Sequence, residues 1–228
     1  MKTVIIAIDG PAGSGKSSTA KEVARRTGAL YMDTGAMYRA VALKVIREGY
    51  DLSEQGVLDR LLPTLDIRLE EALEGVRVLL DGQDVSSAIR TNDVSTMSSR
   101  VSSFPEVRLR MVELQRKTAD RETEKGKKVV MEGRDIGTVV FPDAQFKFFV
   151  TAAPEVRAKR RAVELRQRGE TVDEAHLLQD IKDRDARDAG RKHSPLRQAK
   201  DAIVLDTSSM TFEEQVENII RVIEGNAA

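Results

Sequence analysis

A glycine-rich loop near the start of the chain has the residue types and spacing that phosphate binding requires. Residues 10–17, GPAGSGKS, fit the pattern GxxxxGK[ST] with Gly10, Gly15, Lys16 and Ser17 in register. Glycines let the backbone pass close to an anion, so that successive N–H groups and the following helix start point at it. Lys16 would reach the β and γ phosphates of a nucleotide, and the Ser17 hydroxyl would ligate Mg²⁺. The residues predicted to hold the phosphates are Gly10, Pro11, Ala12, Gly13, Ser14, Gly15, Lys16, Ser17 and Ser18.

The flanks of this loop support the interpretation, because a phosphate loop needs a strand before it and a helix after it. Residues 4–8 form an apolar run, and residues 16–27 carry Ala20, Val23 and Ala24 on one helical face. The alternative is a glycine-rich turn that binds nothing. The four fixed positions and both flanks favour the phosphate site.

A helix predicted over residues 173–191 changes character along one face. Its apolar stripe begins with Leu177, Leu178 and Ile181, and steps of three and four then reach three charged residues, Arg184, Asp188 and Arg191. Burying such charges unpaired would cost roughly several kcal/mol each, so this half is expected to line a wet cleft that holds an anion. The alternative is a solvated helix end, where Asp180 and Arg184 pair at i,i+4 spacing.

A basic cluster precedes Gly169. Arginines on a mobile segment can close over phosphates, neutralise a transition state and exclude water. A solvated basic face is the alternative, and nucleic-acid binding is disfavoured because no aromatic residue is interleaved. The cluster, opposed by Glu164, consists of Arg157, Lys159, Arg160, Arg161, Arg166 and Arg168.

Three further groups stand where a ligand could lie, and each also has a structural interpretation. Asp33 and Thr34 precede a predicted helix that carries Arg39 one turn on, although either could be only an N-cap. Residues 132–135, Glu-Gly-Arg-Asp, follow a predicted strand, and ligands in open α/β sheets lie at the carboxyl ends of strands. Ser99 and Arg108 flank a turn at residues 104–105.

The elements that would position these residues alternate along the chain, which predicts an α/β domain with a mostly parallel sheet. Candidate strands cover residues 4–8, 30–32, 129–131, 146–150 and 203–205, and candidate helices include residues 34–48 and a segment opening at Pro105. Residues 65–85 instead alternate apolar and charged side chains across a turn at 74–75. That pattern predicts an antiparallel hairpin, with a third short strand, inserted outside the main sheet.

Composition limits the class of protein. The 228 residues suit one domain, and 37 Lys plus Arg against 37 Asp plus Glu give no net charge. No global field therefore draws the chain to nucleic acid or membrane. The chain has no cysteine, which excludes disulfides and thiolate metal sites, and no run of membrane-spanning length. We expect a cytoplasmic protein.

Five motifs, in this order and at compatible spacing, resemble the bacterial-type cytidylate kinase family: GPAGSGKS, DTGAMYRA, SSRVSSFPEVR, EGRDIGTVVFPDA and IKDRDARDAGR. The resemblance covers nearly the whole chain. It implies the P-loop nucleoside monophosphate kinase fold, with a central five-stranded parallel sheet flanked by helices. It also implies transfer of the γ-phosphoryl group of ATP, with Mg²⁺, to CMP or dCMP. The expected partners are these small molecules, and the expected state is a monomer without nucleic-acid or membrane partners.

The resemblance also assigns roles by position. Arg39, Arg134 and Arg191 would hold the acceptor phosphate, Ser99, Arg108 and Asp135 would face the cytosine, and Arg184 and Asp188 would contact the ribose. Thr34 would lie by the acceptor, where relatives often have serine. The catalytic residues would be Lys16, Arg157, Arg161 and Arg191, with Arg157 and Arg160 also on the donor.

Larger segments are assigned in the same way within a single domain of residues 1–228. Residues 34–105 would form the monophosphate-binding region, with the antiparallel insertion at about 63–88, and residues 155–170 a lid. Relatives often have Asp where this chain has Glu132, for which the resemblance implies a role in organising water around Mg²⁺.

The sequence leaves two rival functions open. Another small P-loop kinase, for UMP, AMP or a non-nucleotide acceptor, would share the donor loop. A nucleotide-dependent switch is a different class, but a GTP switch needs an Asn-Lys-x-Asp motif, which this sequence lacks.

Overall fold

The structure is a computed structural model that describes residues 4–72, 75–167 and 169–225. Its strands are β1 (Ile5–Asp9), β2 (Leu30–Asp33), β3 (Ile67–Ala72), β4 (Gly75–Leu80), β5 (Gln83–Asp84), β6 (Val129–Gly133), β7 (Phe146–Thr151) and β8 (Ile203–Asp206). Its α-helices are α1 (Lys16–Thr27), α2 (Thr34–Glu48), α3 (Val57–Leu61), α4 (Asn92–Val101), α5 (Pro105–Glu124), α6 (Pro154–Gln167), α7 (Glu174–Ala189) and α8 (Phe212–Gly225). Two short 3₁₀ helices cover Leu62–Thr64 and Ala88–Arg90, and a π-helix covers Ile136–Val140.

Five strands form the predicted parallel sheet, in the order β2-β6-β1-β7-β8. β1 and β6 are buried along their whole length, since helices cover both faces, which explains why they appear in the sequence as continuous apolar runs. The predicted strands are confirmed, each within one or two residues of its expected ends. In β8 only Leu205 is buried, because this strand forms an edge of the sheet.

The antiparallel hairpin is also confirmed and forms a second, three-stranded sheet, β3-β4-β5. The predicted turn at residues 74–75 lies partly outside the described residues. Ile67, Leu69 and Val78 pack into the same buried core as β2, β6 and α2. The hairpin is therefore separate from the main sheet in its hydrogen bonding but not in its hydrophobic core.

Local sequence sets where the site-forming helices begin. Gly15 adopts a left-handed conformation, φ 87°, directly before α1, and the Asp33 side chain accepts a hydrogen bond from the Ala36 N–H at the start of α2. Helix α7 ends at Ala189, where the following Gly190 N–H bonds to the Ala186 carbonyl, and not near residue 191 as predicted. Arg191 therefore lies beyond the helix rather than on its face.

Within the described ranges of the chain, none of the helices combines the length and the apolar character that crossing a membrane would require.

Candidate active site

A cleft of about 720 Å³ opens at the carboxyl ends of β1, β2 and β6. The phosphate loop and the start of α1 form one wall, and α2, α4 and α7 contribute side chains to the other. Parallel strands end at a common edge, so segments distant in sequence meet here. The arrangement provides one open cleft with a side lined by backbone and a side lined by side chains.

The phosphate loop is held in a shape that only glycine permits at two points. Gly10 has φ 151°, and a Cβ there would lie 2.0 Å from the Val150 carbonyl oxygen. Gly13 has φ 76° and lies against the Arg157 side chain. The Ser14 hydroxyl is buried and donates to the Pro11 carbonyl oxygen at 3.1 Å. Pro11 and Ser14 thus shape the loop from behind, while its exposed backbone faces the cleft.

Lys16, Ser17 and Tyr31 converge on Glu132, which is buried at the end of β6. The Ser17 hydroxyl donates to Glu132 Oε2 at 2.8 Å, and the Tyr31 hydroxyl donates to Oε1 at 2.8 Å. The Lys16 Nζ lies 3.8 Å from Oε2. Burial, reinforced by the nearby charge of Arg134, lowers the pKa of Lys16 to about 8. Glu132 therefore has fixed partners at both oxygens, which the sequence did not indicate.

Four arginines and two aspartates form the opposite side of the cleft. Arg39 donates to Asp33 Oδ2 at 2.8 Å, and Arg134 donates to Asp188 Oδ2 at 2.9 Å. Arg191 pairs with the other oxygen of Asp188. Arg184 makes no hydrogen bond or ion pair with the described part of the chain, although it lines the cleft. Two carboxylates face four cations, so the cluster carries an excess of two positive charges.

Burial and neighbouring charges shift the pKa values in this cluster. Desolvation in the cleft and the neighbouring charge of Arg134 lower the pKa of Arg184 below its ordinary value. Burial acts to raise the pKa of Asp188, but Arg134 and Arg191 outweigh it and hold that pKa low. Asp188 stays ionised, and the excess of cations favours an anionic ligand.

A second, deeper ion pair lies beside this cluster. Arg108 donates to Asp135 Oδ2 at 2.7 Å, and both side chains are buried. The Arg108 guanidinium also lies over the Tyr38 ring, 5.5 Å from its centroid. Ser102 connects the pair to the arginine cluster, since its carbonyl accepts from Arg108 and its hydroxyl accepts from Arg191. This pocket can present a carboxylate and fixed donors to a polar ring.

Helix α6 places its predicted arginines in two different environments. Arg160 and Arg161 line the cleft, where Arg160 donates to the Thr207 hydroxyl at 3.1 Å. Arg157 is 2% exposed and points behind the loop, where it donates to the Ala12 carbonyl and to Asp185, each at 3.1 Å. Arg157 braces the phosphate loop in this structure and does not reach the cleft. Arg168, singled out with this basic cluster, lies outside the described residues.

The structure brings most of the predicted residues to one place. Ser99, half-buried on α4, and Thr34, whose hydroxyl donates to the Glu132 carbonyl at 2.7 Å, both line the cleft. The residues assigned to the site that do not line it, in the conformation described, are Gly10, Pro11, Ser14 and Arg157. Of the basic cluster, Lys159 and Arg166 do not line it either, and Arg166 pairs with Glu174 instead.

Sequence reasoning missed several residues that the site depends on. Tyr31 and Tyr38 fit ordinary amphipathic positions, and Ser102 lies in a serine-rich stretch, so only three-dimensional contact reveals them. Asp9, in contrast, could have been found from the sequence. A carboxylate at the end of a buried apolar strand is costly to bury and therefore indicates a special role. Asp9 is 4% exposed, and burial raises its pKa to about 7 against the opposing effect of its hydrogen bonds.

Known proteins match this sequence over nearly its whole length. The cytidylate kinase family model matches residues 6–225. A cytidylate kinase of Caldanaerobacter subterraneus subsp. tengcongensis is 51% identical over 224 residues, which cover 98% of this chain and 96% of that protein. A cytidylate kinase of Pelotomaculum thermopropionicum is 51% identical over 216 residues, covering 94% and 93%.

Among solved structures, an uncharacterized protein from Eubacterium ventriosum is similar in fold, with a TM-score of 0.53 and 16% identity over 97% of this chain and 99% of that one. That likeness concerns the fold alone, whereas the family model and the two relatives concern the whole sequence. The chain therefore belongs to the cytidylate kinase family.

Proposed function

We propose that the protein transfers the γ-phosphoryl group of ATP to CMP or dCMP, giving ADP and CDP or dCDP. One observation carries the proposal: the phosphate loop with Lys16 faces a cluster of four arginines and two aspartates across a single cleft. The cluster's excess of two positive charges matches the roughly −2 charge of a nucleoside monophosphate at neutral pH. Family membership supports the choice of CMP and dCMP.

The donor side is assigned to the loop and α6. Backbone N–H groups from Ala12 to Ser18 would surround the ATP phosphates, and Lys16 would neutralise the β and γ oxygens. Arg160 and Arg161 line the same space and would contact the donor or the transferring group. Arg157 is better suited to hold the loop, because its guanidinium is already bonded to Ala12 and Asp185.

The acceptor side is assigned to the arginine cluster and the buried pair. Arg39, Arg134 and Arg191 would bind the acceptor phosphate, since each presents a guanidinium fork suited to two parallel bonds. Arg184 and Asp188 would contact the ribose. Asp135, with Oδ2 held by Arg108, would accept from the cytosine amino group through Oδ1. Uracil places an oxygen there, so the carboxylate favours CMP.

This arrangement needs no strong general base, because the attacking oxygen of the acceptor phosphate is already ionised at neutral pH. Catalysis would depend on alignment of the two phosphates and on charge neutralisation by Lys16 and the arginines. The two histidines, His176 and His193, lie outside the cleft lining and have no role in this account.

The residues present fit Mg²⁺, which we propose as the companion of ATP. Ser17 and Glu132 offer hydroxyl and carboxylate oxygens, the donors that Mg²⁺ prefers. The described residues hold no cluster of three or more possible metal ligands, in keeping with an ion bound mainly through phosphates and water. When bound, Mg²⁺ would supply positive charge that neutralises the charge developing on the phosphates. Tyr31 and Ser17 would hold the Glu132 carboxylate in place for it.

We further propose a monomer, since side chains of a single chain line both sides of the cleft. The proposed compartment is the cytoplasm, where ATP and pyrimidine nucleotides are available.

The test is a coupled ADP-release assay with Mg·ATP and CMP, dCMP, UMP, AMP or no acceptor. We expect fast turnover with CMP and dCMP, and a preference over UMP of about 10²-fold or more. Comparable rates with UMP or AMP would favour another monophosphate kinase. Phosphate release without any acceptor as the dominant activity would favour a nucleotide-dependent switch.

A further inference from the structure

The carboxylate of Asp9 holds the backbone of the segment that follows β6. Its two oxygens accept hydrogen bonds from the N–H groups of Ile136 and Gly137, each at 2.8 Å. These N–H groups open the π-helix Ile136–Val140, a rare element that frequently occurs at functional sites. Asp9 thereby fixes the first turn of this helix from the neighbouring strand, since β1 pairs with β6 and Asp9 stands opposite Gly133.

Asp9 lies between the two sides of the cleft, because it contacts both the start of the phosphate loop and the segment that follows Asp135. Asp9 is followed directly by Gly10, the first residue of the phosphate loop, and Ile136 directly follows Asp135. Gly10 is closely confined, because even a Cβ there would collide with the Val150 carbonyl at 2.0 Å. Asp9 therefore links the start of the loop, through two hydrogen bonds of 2.8 Å, to the residue next to Asp135.

A carboxylate is an unfavourable group for this position on stability grounds alone. Across residues 4–72, 75–167 and 169–225, no lysine, arginine or histidine forms a direct ion pair with Asp9, and the charge of Arg134 favours its ionised form only from a distance and less strongly than burial opposes it. Burial raises its pKa to about 7, which shows that the environment disfavours the charge. Burial of a carboxylate is unfavourable, so stability alone does not explain Asp9. Its position does, because it holds two N–H groups at the start of the π-helix, next to Asp135.

We propose that Asp9 is a positioning residue that couples the phosphate loop to the acceptor-reading pair, Arg134 and Asp135. Binding of the donor phosphates orders the loop, and Asp9 then aligns this pair for the acceptor. The inference rests on the proposed function, because it takes the loop as the donor site and residues 134–135 as part of the acceptor site.

The far end of the same π-helix supplies a matched control. Arg116 on α5 donates to the Val139 and Val140 carbonyl oxygens, each at 2.8 Å. Like Asp9, it is a charged side chain that makes two bonds to this helix, but it contacts neither the phosphate loop nor residues 134–135. Loss of Arg116 tests the stability of the π-helix without breaking the link between the two sites.

The experiment is titration calorimetry of CMP into the wild type, Asp9→Asn and Arg116→Met, with and without a non-hydrolysable ATP analogue and Mg²⁺. In the wild type and in Arg116→Met, the analogue is expected to tighten CMP binding about tenfold. In Asp9→Asn, where an amide N–H₂ must face a backbone N–H, this factor is expected to fall to about one, with the affinity for the analogue alone changed less than about twofold.

Several outcomes would overturn the inference: no tightening in the wild type, full tightening in Asp9→Asn, or equal loss in Arg116→Met. A wild type that binds no CMP under either condition would instead reject the proposed function. Should Asp9→Asn fail to fold, amide hydrogen exchange of the wild type, measured with and without the ATP analogue, tests the inference instead. The inference requires that the analogue alone slows exchange in residues 136–140, and unchanged exchange there contradicts it.

Discussion

The two sides of the cleft are built from different parts of the protein. The donor side is one continuous loop whose backbone does the binding, with Lys16 as its main charged side chain. The acceptor side gathers charged side chains from the end of β2, from α2, α5 and α7, from the turn after α7, and from the loop between β6 and the π-helix. Glu132, at the end of β6, lies between them and bonds to Ser17.

This difference separates chemistry from specificity. A loop of backbone N–H groups recognises phosphate and carries no information about the second substrate. Side chains from several elements can match one particular acceptor, because each contributes its own charge and direction. Damage on the donor side should therefore lower turnover with every acceptor, while damage on the acceptor side should change which acceptor is used.

The largest effect is expected for Lys16→Met, which would lower kcat about 10²–10³-fold with every acceptor, because it removes the cation at the transferring phosphate. Steady-state ADP release measures it. Lys44→Met is the matched control, since it removes a buried lysine that pairs with Asp81 away from the cleft. Lys44→Met should keep its kcat. An acceptor-dependent loss in Lys16→Met would break the separation of the two sides.

The next effect is expected for Arg134→Lys, which would raise the KM for CMP about tenfold or more, because an ammonium cannot make two parallel bonds to phosphate. The KM for ATP should stay within about twofold. Arg26→Lys, on the surface beside Glu213, controls for the substitution itself. Equal increases in both KM values would show that Arg134 serves the donor as well.

A smaller and more selective effect is expected for Asp135→Asn. The amide can turn its N–H₂ toward a uracil oxygen, so the preference for CMP over UMP should fall about tenfold. Buried Arg108 also loses its charged partner, so the free energy of unfolding should decrease in urea titrations. Asp201→Asn, which removes the charge of an exposed aspartate that pairs with Lys147 away from the cleft, is the control. An unchanged CMP to UMP ratio of kcat/KM would refute the proposed reading of the base.

The smallest effect concerns protons. Because the pKa of Lys16 is about 8 in the protein without ligand, it is about half neutral at pH 8. Bound phosphates favour the charged form and raise this pKa, so ATP binding should take up about half a proton at pH 8. Calorimetry in two buffers of different ionisation enthalpy measures this uptake. It should diminish toward pH 6.5 and vanish in Lys16→Met, and proton release at pH 8 would contradict the sign.

The donor side could be predicted from the sequence because its determinants are adjacent in the chain. Gly10, Gly15 and Lys16 specify backbone shape and charge within eight residues, and the flanking strand and helix follow from apolar periodicity. The sheet was predictable for the same reason, since each buried strand is a local apolar run. Family membership, inferred from five ordered motifs, is confirmed.

The acceptor side was only partly predictable. The charged continuation of α7 indicated an anion site, but the partners of those charges depend on contacts between distant segments. Nothing local in the sequence indicates that Arg134 bonds to Asp188, or that Arg157 turns away from the cleft toward Asp185. The role of Asp9 likewise depends on strand pairing, since its two N–H partners lie more than 120 residues away.

The most direct test of the separation between the two sides is calorimetric titration of Lys16→Met with CMP and with UMP, in the absence of ATP. We expect this variant, although nearly inactive, to bind CMP with wild-type affinity and to prefer it to UMP by the same factor as the wild type, about 10²-fold. Loss of CMP binding, or equal affinity for CMP and UMP, would contradict the claim that specificity lies outside the phosphate loop.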